Sequence, residues 1–591
     1  MPIIGIDLGT TNSLASVWKD GKCQLIPNSL GKYLTPSVVS IDKNGEIIVG
    51  QAAKERLVSH PTLTASCFKR FMGKETELML GNHKFSPIEL SSFVLRKLKE
   101  DAEIFLGEKV TEAVISVPAY FDDNGRTATK AAGELAGFKV ERIINEPSAA
   151  ALAYHKGSEQ DMSFLVVDFG GGTLDVSIVD AFENVIEIVA VAGDNHLGGE
   201  DFNNAIANYF CKANNIKPEI LPKETIASLI RQAENCKITL STTEPVMMVA
   251  EIDGKQHSVL LTNQKLVEIC APLLHKMEKP IARALRDCES TIGEVDEIVM
   301  VGGSCNMPLI KQYLAHILGK EPLCHIDTDT TVAIGTGIAA AIKDRNINLK
   351  DTILTDICPF TLGVNVINRD DPSNDLFSPI IERNTTLPSS RMKTYYTVND
   401  NQAHMAIEIY QGESMYCKDN LKLGEIEIDV PKGPKGSEGA DIRFTYDING
   451  ILQVEVTCNS TGKKNEMVIL NPKLKLSKEE LQNKLKQLER FKLLPREEDE
   501  NKLVLSTAAR LYEQSTGYIR EQIHNQIDYF NILLKEGNDA KIRRSRKGIM
   551  DFLNQIDEKL NSDDYILKSF HDKFNDENEY DDFEDFDDEE D

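Results

Sequence analysis

Several function classes are missing from this 591-residue sequence. Its 11 cysteines stand singly from Cys23 to Cys458, with no Cys-x-x-Cys pair and no Cys/His cluster of zinc-finger spacing. That argues against a metal or disulfide framework and for reduced, buried thiols in a cytosolic protein. No apolar run reaches the ~18 residues of a membrane span. The start, Met1-Pro2-Ile3-Ile4-Gly5-Ile6-Asp7, has no basic flank and does not read as a signal peptide. Positive charge is in deficit, with 66 Lys+Arg against 93 Asp+Glu and a net charge of −27. So acidic a surface repels phosphate backbones and argues against a nucleic-acid partner. There is no Gly-x-x-x-x-Gly-Lys-Ser/Thr loop and no Gly-x-Gly-x-x-Gly opening a helix.

With 41% hydrophobic residues the chain can bury real cores, and its length suits three to five domains. Residues 1–347 alternate short apolar runs (Phe164 to Asp168, Glu297 to Val301) with helical stretches such as Arg126 to Ala136. That reads as α/β. Residues 348–358, bounded by Pro359, are too few for a domain and read as a linker. From 359 to 470 the pattern turns to alternating strands, as in Met405 to Tyr410 and Ile426 to Val430. An antiparallel β-sandwich is expected there. Residues 471–570 read as helical. Ser477 and Glu480 form a capping box, followed by a stripe of Leu481, Leu485, Leu488 and Phe491. Residues 571–591 end in an acidic block, 12 of the last 17 residues being Asp or Glu, which is expected to be disordered.

The first domain contains a repeat. Ile4-Gly5-Ile6-Asp7-Leu8-Gly9-Thr10-Thr11 resembles Val166-Val167-Asp168-Phe169-Gly170-Gly171-Gly172-Thr173. Each is an apolar strand, an Asp and a Gly/Thr turn, so two facing lobes are expected. Turns such as Gly9-Thr10-Thr11-Asn12 and Gly170-Gly171-Gly172-Thr173 let backbone N–H groups wrap an anion. Two facing carboxylates would hold Mg²⁺ through waters. A third turn, Gly302-Gly303-Ser304, also follows a strand and could admit the flat face of a base. Together they point to a nucleotide held between lobes by hairpins.

These elements resemble the seventy-kilodalton heat-shock chaperones, the DnaK type. The matching stretches are Ile6 to Ser13, Val117-Pro118-Ala119-Tyr120-Phe121, Ile143 to Ala151, Asp168 to Thr173, His196 to Phe202 and Val301 to Ser304. Leu354-Thr355-Asp356-Ile357-Cys358-Pro359-Phe360 is closer to the specialised bacterial HscC branch. The resemblance implies an actin-like ATPase domain that binds ATP or ADP with Mg²⁺, then a peptide-binding β-sandwich, a helical lid and the acidic tail.

It also implies roles for residues. Asp7, Glu146, Asp168 and Asp175 would surround the metal and the attacking water. Asp7 and Asp168 would hold Mg²⁺ through waters, and either Asp168 or Asp175 would orient the nucleophile. Lys69 matches the catalytic lysine. Gly9, Thr10, Thr11, Asn12, Gly170, Gly171, Gly172 and Thr173 match the phosphate cradle. Glu234, Lys237 and Ser241, at i, i+3 and i+7 of one helix, would hold the adenosine, closed by Gly302, Gly303, Ser304 and Asp329. Peptide-cleft positions are Val364, Ile367, Phe377, Tyr395, Val398, Met405 and Ile407; Val364 and Ile407 read equally well as core. Pro118 and Arg126 match relay residues, and Arg142, Asn145 and Asp356 match the surface where a J-domain cochaperone acts.

The sequence departs from the DnaK type in several places. Asn306 stands where the family has an adenine-stacking Arg, which implies weaker nucleotide binding and faster ADP release. The loop between Ser241 and Leu261 is shorter than the one that supports the exchange factor GrpE, so dependence on GrpE is not implied. Asn195 replaces an autophosphorylatable Thr. Asn368 to Asp375 is an insertion beside the cleft, and the linker has few apolar residues. The implied setting is the bacterial cytoplasm, with extended polypeptides as clients and no insertion into membrane. The acidic tail reads as a solubilising segment or as a contact for basic clients. The competing function is an actin-like small-molecule kinase, which would have no use for the sandwich; a filament-forming actin relative would end near residue 345.

Overall fold

The computed structural model describes residues 2–155, 161–182, 185–252, 254–288, 290–323, 327–344, 353–368, 374–447, 452–469, 496–515, 517–536 and 539–560. The chain divides into two compact units. The first holds residues 1–54, 62–202 and 271–495, and the second holds 55–61, 203–270 and 496–591.

Two mixed sheets organise the N-terminal part of the first unit. One runs Lys139–Asn145, Glu112–Val117, Ile3–Asp7, Asn12–Lys19, Lys22–Ile26; the other runs Glu297–Val301, Met162–Phe169, Leu174–Phe182, Val185–Asp194 and on to Ile353–Ile357. Each has the same kernel. An antiparallel hairpin (Ile3–Asp7 with Asn12–Lys19, Met162–Phe169 with Leu174–Phe182) lies beside a parallel strand (Glu112–Val117, Glu297–Val301). The repeat in the sequence is therefore a repeat of topology. The reason is local: Ile4, Ile6, Phe164, Leu165, Val166 and Val167 are buried, so these apolar runs need cover on both faces. Each hairpin turn follows an Asp, directly after Asp7 and one residue after Asp168, with Asp7 paired to Leu14 and Asp168 to Asp175.

The linker segment does more than connect. Ile353–Ile357 forms a strand parallel to Val185–Asp194 and antiparallel to Thr386–Leu387. Beyond it come two four-stranded antiparallel sheets. Their orders are Leu376–Ile381, Leu362–Val366, His404–Gln411, Leu421–Asp429 and Ser389–Tyr396, Gly439–Tyr446, Leu452–Cys458, Lys464–Ile469. They share one apolar core, to which alternate residues contribute: Met405, Ile407 and Ile409 from one sheet, Ile442 and Phe444 from the other.

In the second unit, helix Lys223–Thr239 accompanies the hairpin Val246–Ile252/Lys255–Leu261. Helices Arg496–Gln514, Gly517–Glu536 and Asp539–Leu560 close around Leu511, Ile523, Phe530 and Leu553. Arg510, only 2% exposed, joins Glu55 and Asp557 in one buried ion cluster. The helix expected from Ser477 to Phe491, the acidic block of residues 575–591 and most of the 368–375 insertion lie outside the described residues. Among the described residues no helix is long and apolar enough to cross a membrane.

Candidate functional site

The first and second hairpin turns face each other. A Cβ added to Gly171 would lie 2.2 Å from Thr11 Cγ2, and one added to Gly172 would lie 2.4 Å from Thr10 Cγ2. Only glycine permits that approach, so two sets of turn amides share one small space. Arg70 braces it. Its Nε donates to the Gly172 carbonyl at 2.9 Å, and its guanidinium grips both carboxylate oxygens of Asp201. Asp201 in turn accepts from the Gly198 amide, while the Gly199 and Glu200 amides bond the Gly170 and Gly171 carbonyls. The third turn joins through Ser304 Oγ, which donates to the Gly170 carbonyl at 2.8 Å. Gly302 has φ +88, and a Cβ there would strike the Phe169 carbonyl at 2.5 Å.

Beneath the turns lies an acidic pocket. Asp7 ends one outgoing strand and Asp168 lies one residue before the end of the other, Asp175 is the second residue of the return strand Leu174–Phe182, and Glu146 opens helix Glu146–His155. Lys69, from the 3-10 turn Phe68–Phe71, donates to Glu146 Oε1 at 2.6 Å; the pair is 3% and 8% exposed. Ser116 Oγ donates to Asp7 at 2.9 Å, and the Tyr120 amide to Asp175 Oδ1 at 3.0 Å. Asp175 Oδ2 is buried with no partner. Burial, then the Glu146 charge, pushes the Asp7 and Asp175 carboxyls up to about 7 and raises Asp168 as well. One ammonium cannot balance four buried carboxylates, so the pocket suits an added cation. Among the described residues no three acidic, His or Cys groups could ligate an ion directly. A hydrated Mg²⁺ fits that donor set: it keeps its waters and needs only one or two carboxylates.

Asn195 Nδ2 donates to the Tyr120 carbonyl at 2.9 Å, leaving its own Oδ1 buried and unpartnered. At the third turn, Asn306 accepts from Thr328 Oγ1 at 3.0 Å and is exposed. Asp329 lies beside it; burial, then Asp327, raises its carboxyl above the ordinary range. Glu234 and Lys237 stand on the second unit's helix Lys223–Thr239, and Arg231 pairs with Glu234. Ser241 corrects the expectation of one helix. The helix ends at Thr239 with Leu240 as cap, and Ser241 lies in the turn beyond, bonded back to the Lys237 carbonyl at 3.4 Å.

The remaining residues meet at the linker strand. Asn145 Nδ2 lies 2.7 Å from both Asp356 oxygens, and its Oδ1 accepts from Arg126 at 2.6 Å. Arg126 also bonds the Ala119 and Phe121 carbonyls, next to Pro118. Arg142 sits on the same sheet, close enough for its charge to lower the Asp356 carboxyl against a larger upward push from burial. Asp356 therefore titrates above the usual carboxylate range.

The expected cleft residues separate into two groups. Val364, Met405 and Ile407 are buried in the core shared by the two sheets. Ile367 is 50% exposed, and Phe377, Tyr395 and Val398 are half-buried. Tyr395 OH bonds Ser378 Oγ at 2.9 Å, tying the edges of the sheets.

Sequence reasoning gave no role to Arg70, Ser116, Tyr120 or Asp201, although Arg70 adjoins Lys69 and Tyr120 and Asp201 lie in stretches that resemble the chaperone family. Comparison with known proteins agrees with the geometry: the family model described as Hsp70 protein matches residues 3–80 and 75–564.

Proposed function

The chain belongs to the Hsp70 family, whose members are chaperones and ATPases, and on that premise we propose that it is an ATP-dependent chaperone whose slow hydrolysis controls binding and release of extended apolar polypeptides. One observation carries this reading. Asn145, which holds the linker strand through Asp356, is joined by a single peptide bond to Glu146, which holds Lys69. A change in the acidic pocket therefore reaches the linker with no intervening residue.

The Gly170–Gly172 and Thr10–Thr11 amides would bind the phosphates of ATP. Mg²⁺, held through waters by Asp7 and Asp168, would neutralise charge on the phosphate oxygens. Lys69 would stabilise charge developing on the γ-phosphoryl group. Asp175 is the better of the two candidates to orient the attacking water: the Tyr120 amide fixes its Oδ1, and its buried Oδ2 lacks a donor. Thr173 completes the cradle. Gly302, Gly303, Ser304 and Asp329 would hold the adenosine.

Peptide would bind along Ile367, Phe377, Tyr395 and Val398, with Met405 beneath as an adaptable floor. Arg142, Asn145 and Asp356 form the surface we assign to a J-domain cochaperone. The HscC-like linker, the short exchange-factor loop and a bacterial cytoplasmic setting belong to the same proposal. A small-molecule kinase would leave the two C-terminal sheets without a role.

The test is release of a fluorescent apolar peptide with and without ATP–Mg²⁺, in the wild type, Lys69→Ala and Asp356→Ala. ATP should speed release many-fold in the wild type. Asp356→Ala should abolish that effect without abolishing peptide binding. A chain that binds no peptide, or whose release ignores ATP even with a cochaperone present, refutes the reading.

A further inference from the structure

The second glycine turn is held from behind along its whole length. The Gly170 carbonyl accepts from the Gly199 amide and from Ser304 Oγ, the Gly171 carbonyl from the Glu200 amide, and the Gly172 carbonyl from Arg70 Nε. These peptide bonds are trans, so each N–H points away from the group that holds its carbonyl. The amides of Gly171, Gly172 and Thr173 therefore face away from those holders, and among the described residues none of the three has a hydrogen-bond partner. The first turn is held in the same manner by Ser37, which is 1% exposed. It donates through Oγ to the Gly9 carbonyl at 2.7 Å and through its amide to the Thr11 carbonyl at 2.8 Å.

Of the groups behind the second turn, Arg70 alone comes from the first lobe. Its own turn, Phe68–Phe71, is rooted by Phe68 in the core that holds Ile4 and Ile6. That turn follows Cys67, whose left-handed φ of 55 a residue with a side chain adopts only at a cost. The charge of Arg70 is already answered. Asp201 engages its guanidinium with both carboxylate oxygens, at 3.3 and 2.5 Å, and the pair is 14% and 24% exposed. Asp201 is fixed in turn by the Gly198 amide at 2.8 Å. A planar fork neutralised in this way supplies direction more than charge.

We propose that Arg70, fixed by Asp201, is a positioning residue for phosphate: from the first lobe it sets the Gly172–Thr173 peptide so that the Thr173 amide faces the bound phosphates, which Arg70 itself does not touch. The inference rests on the proposed function, in which this turn binds the phosphates of ATP. Loss of the fork should therefore weaken what the phosphates contribute to binding and leave the contribution of the nucleoside intact.

Calorimetric titration of the intact chain with ADP–Mg²⁺ and with adenosine tests this. In Arg70→Ala the ADP affinity should fall about tenfold or more, the lower end for loss of a hydrogen bond from a charged group. Adenosine affinity should change less than about twofold, as for a distant, independent contact. Arg70→Lys should lose nearly as much as the Ala variant, because an ammonium cannot hold Gly172 and Asp201 in one plane. Asp201→Asn separates direction from charge by sign. It leaves the guanidinium less neutralised, so a charge role would tighten ADP binding, whereas the positioning role weakens it. Ser37→Ala should repeat the contrast between ADP and adenosine at the first turn. Equal losses for the two ligands, wild-type ADP affinity in Arg70→Lys, or tighter ADP binding in Asp201→Asn would overturn the inference. A wild type that binds neither ligand would overturn the proposed function, and the inference with it.

Discussion

Tyr446→Phe should loosen the two C-terminal sheets from the α/β sheets, and the loss should depend on pH. Tyr446 is 1% exposed, and its hydroxyl donates to Asp123 Oδ1 at 2.8 Å. Asp123 opens helix Asp123–Leu135 behind the Asp122 cap, and its amide donates to Gln411 Oε1 at 3.1 Å. The two bonds tie one helix end to both sheets. Burial pushes the Asp123 carboxyl from 3.8 up to about 6, against the Tyr446 bond, which lowers it. A hydrogen bond to a charged group contributes roughly 1.5–3 kcal/mol. Losing ~2 kcal/mol would shift the docking equilibrium about 30-fold.

The sign follows from the raised value. Undocking returns Asp123 to water and its ordinary titration, so ionising it opposes docking. Docking is strongest below about pH 4 and weakens by up to ~3 kcal/mol as pH rises through about 6. In the Phe variant the docked carboxyl titrates higher still. Its extra penalty should be nearly complete at pH 8 and small near pH 5. Amide exchange of Ile353–Ile357, corrected for intrinsic rates, reads the opening, because those residues are paired only while the strand is in place. Equal protection in the two proteins, or an equal deficit at pH 5 and pH 8, would refute the reasoning.

Other consequences can be measured directly. Lys69→Ala should lower single-turnover ATP hydrolysis by ~10²–10³-fold, with a much smaller change in ATP affinity measured by equilibrium titration. Because Asp7 and Asp175 titrate near 7, Mg²⁺ should bind with proton release, and its affinity should fall as pH drops from 8 to 6; calorimetry in two buffers of different ionisation heat would detect this, and buffer-independent heats would count against it. Asn306→Arg should slow ADP dissociation by ~2–30-fold, from a stacking contribution of ~0.5–2 kcal/mol, measured by chase of a fluorescent ADP analogue.

The strand ends of the pocket could be read in one dimension, because each chemical requirement there is local. An apolar run ends in an Asp, and a glycine turn follows within two or three residues. Arg70 could not be read in this way: its partners Gly172 and Asp201 lie 102 and 131 residues away. The linker strand was equally hidden. Its mixed composition has no alternation, and it is a strand only because Val185–Asp194 and Thr386–Leu387 offer open edges on either side. At Ser241 the helical period continues past the point where the helix stops. The hydroxyl-rich run Thr239 to Thr243 gives the backbone other partners, and the Thr242 and Thr243 amides both bond the Thr239 carbonyl. In the C-terminal sheets alternation marks Val364, Met405 and Ile407 as inward-facing, but cleft and core impose the same period. Only three-dimensional exposure separates them from Ile367.

Proximity alone does not make a relay, and the hydrogen bonds here allow a stricter statement. Lys69 bonds Glu146; Asn145 precedes it and bonds both Arg126 and Asp356; Arg126 lies one helical turn after Asp123, which bonds Tyr446. The path is continuous, but coupling also requires an element with two arrangements. The Ile353–Ile357 strand, paired here with Val185–Asp194, would meet that requirement by leaving that edge in a second arrangement. Asp356 is its only carboxylate. Burial raises that group, and Asn145 and Arg126 hold it down. A bound phosphate that draws the Lys69 ammonium away from Glu146 would disturb Asn145 next to it, and so alter the cost of keeping Asp356 ionised where it lies. Nucleotide state would thus act on the sheets by changing what it costs to hold one buried carboxylate. By reciprocity, if ATP weakens peptide binding in this way, peptide weakens ATP binding by the same factor.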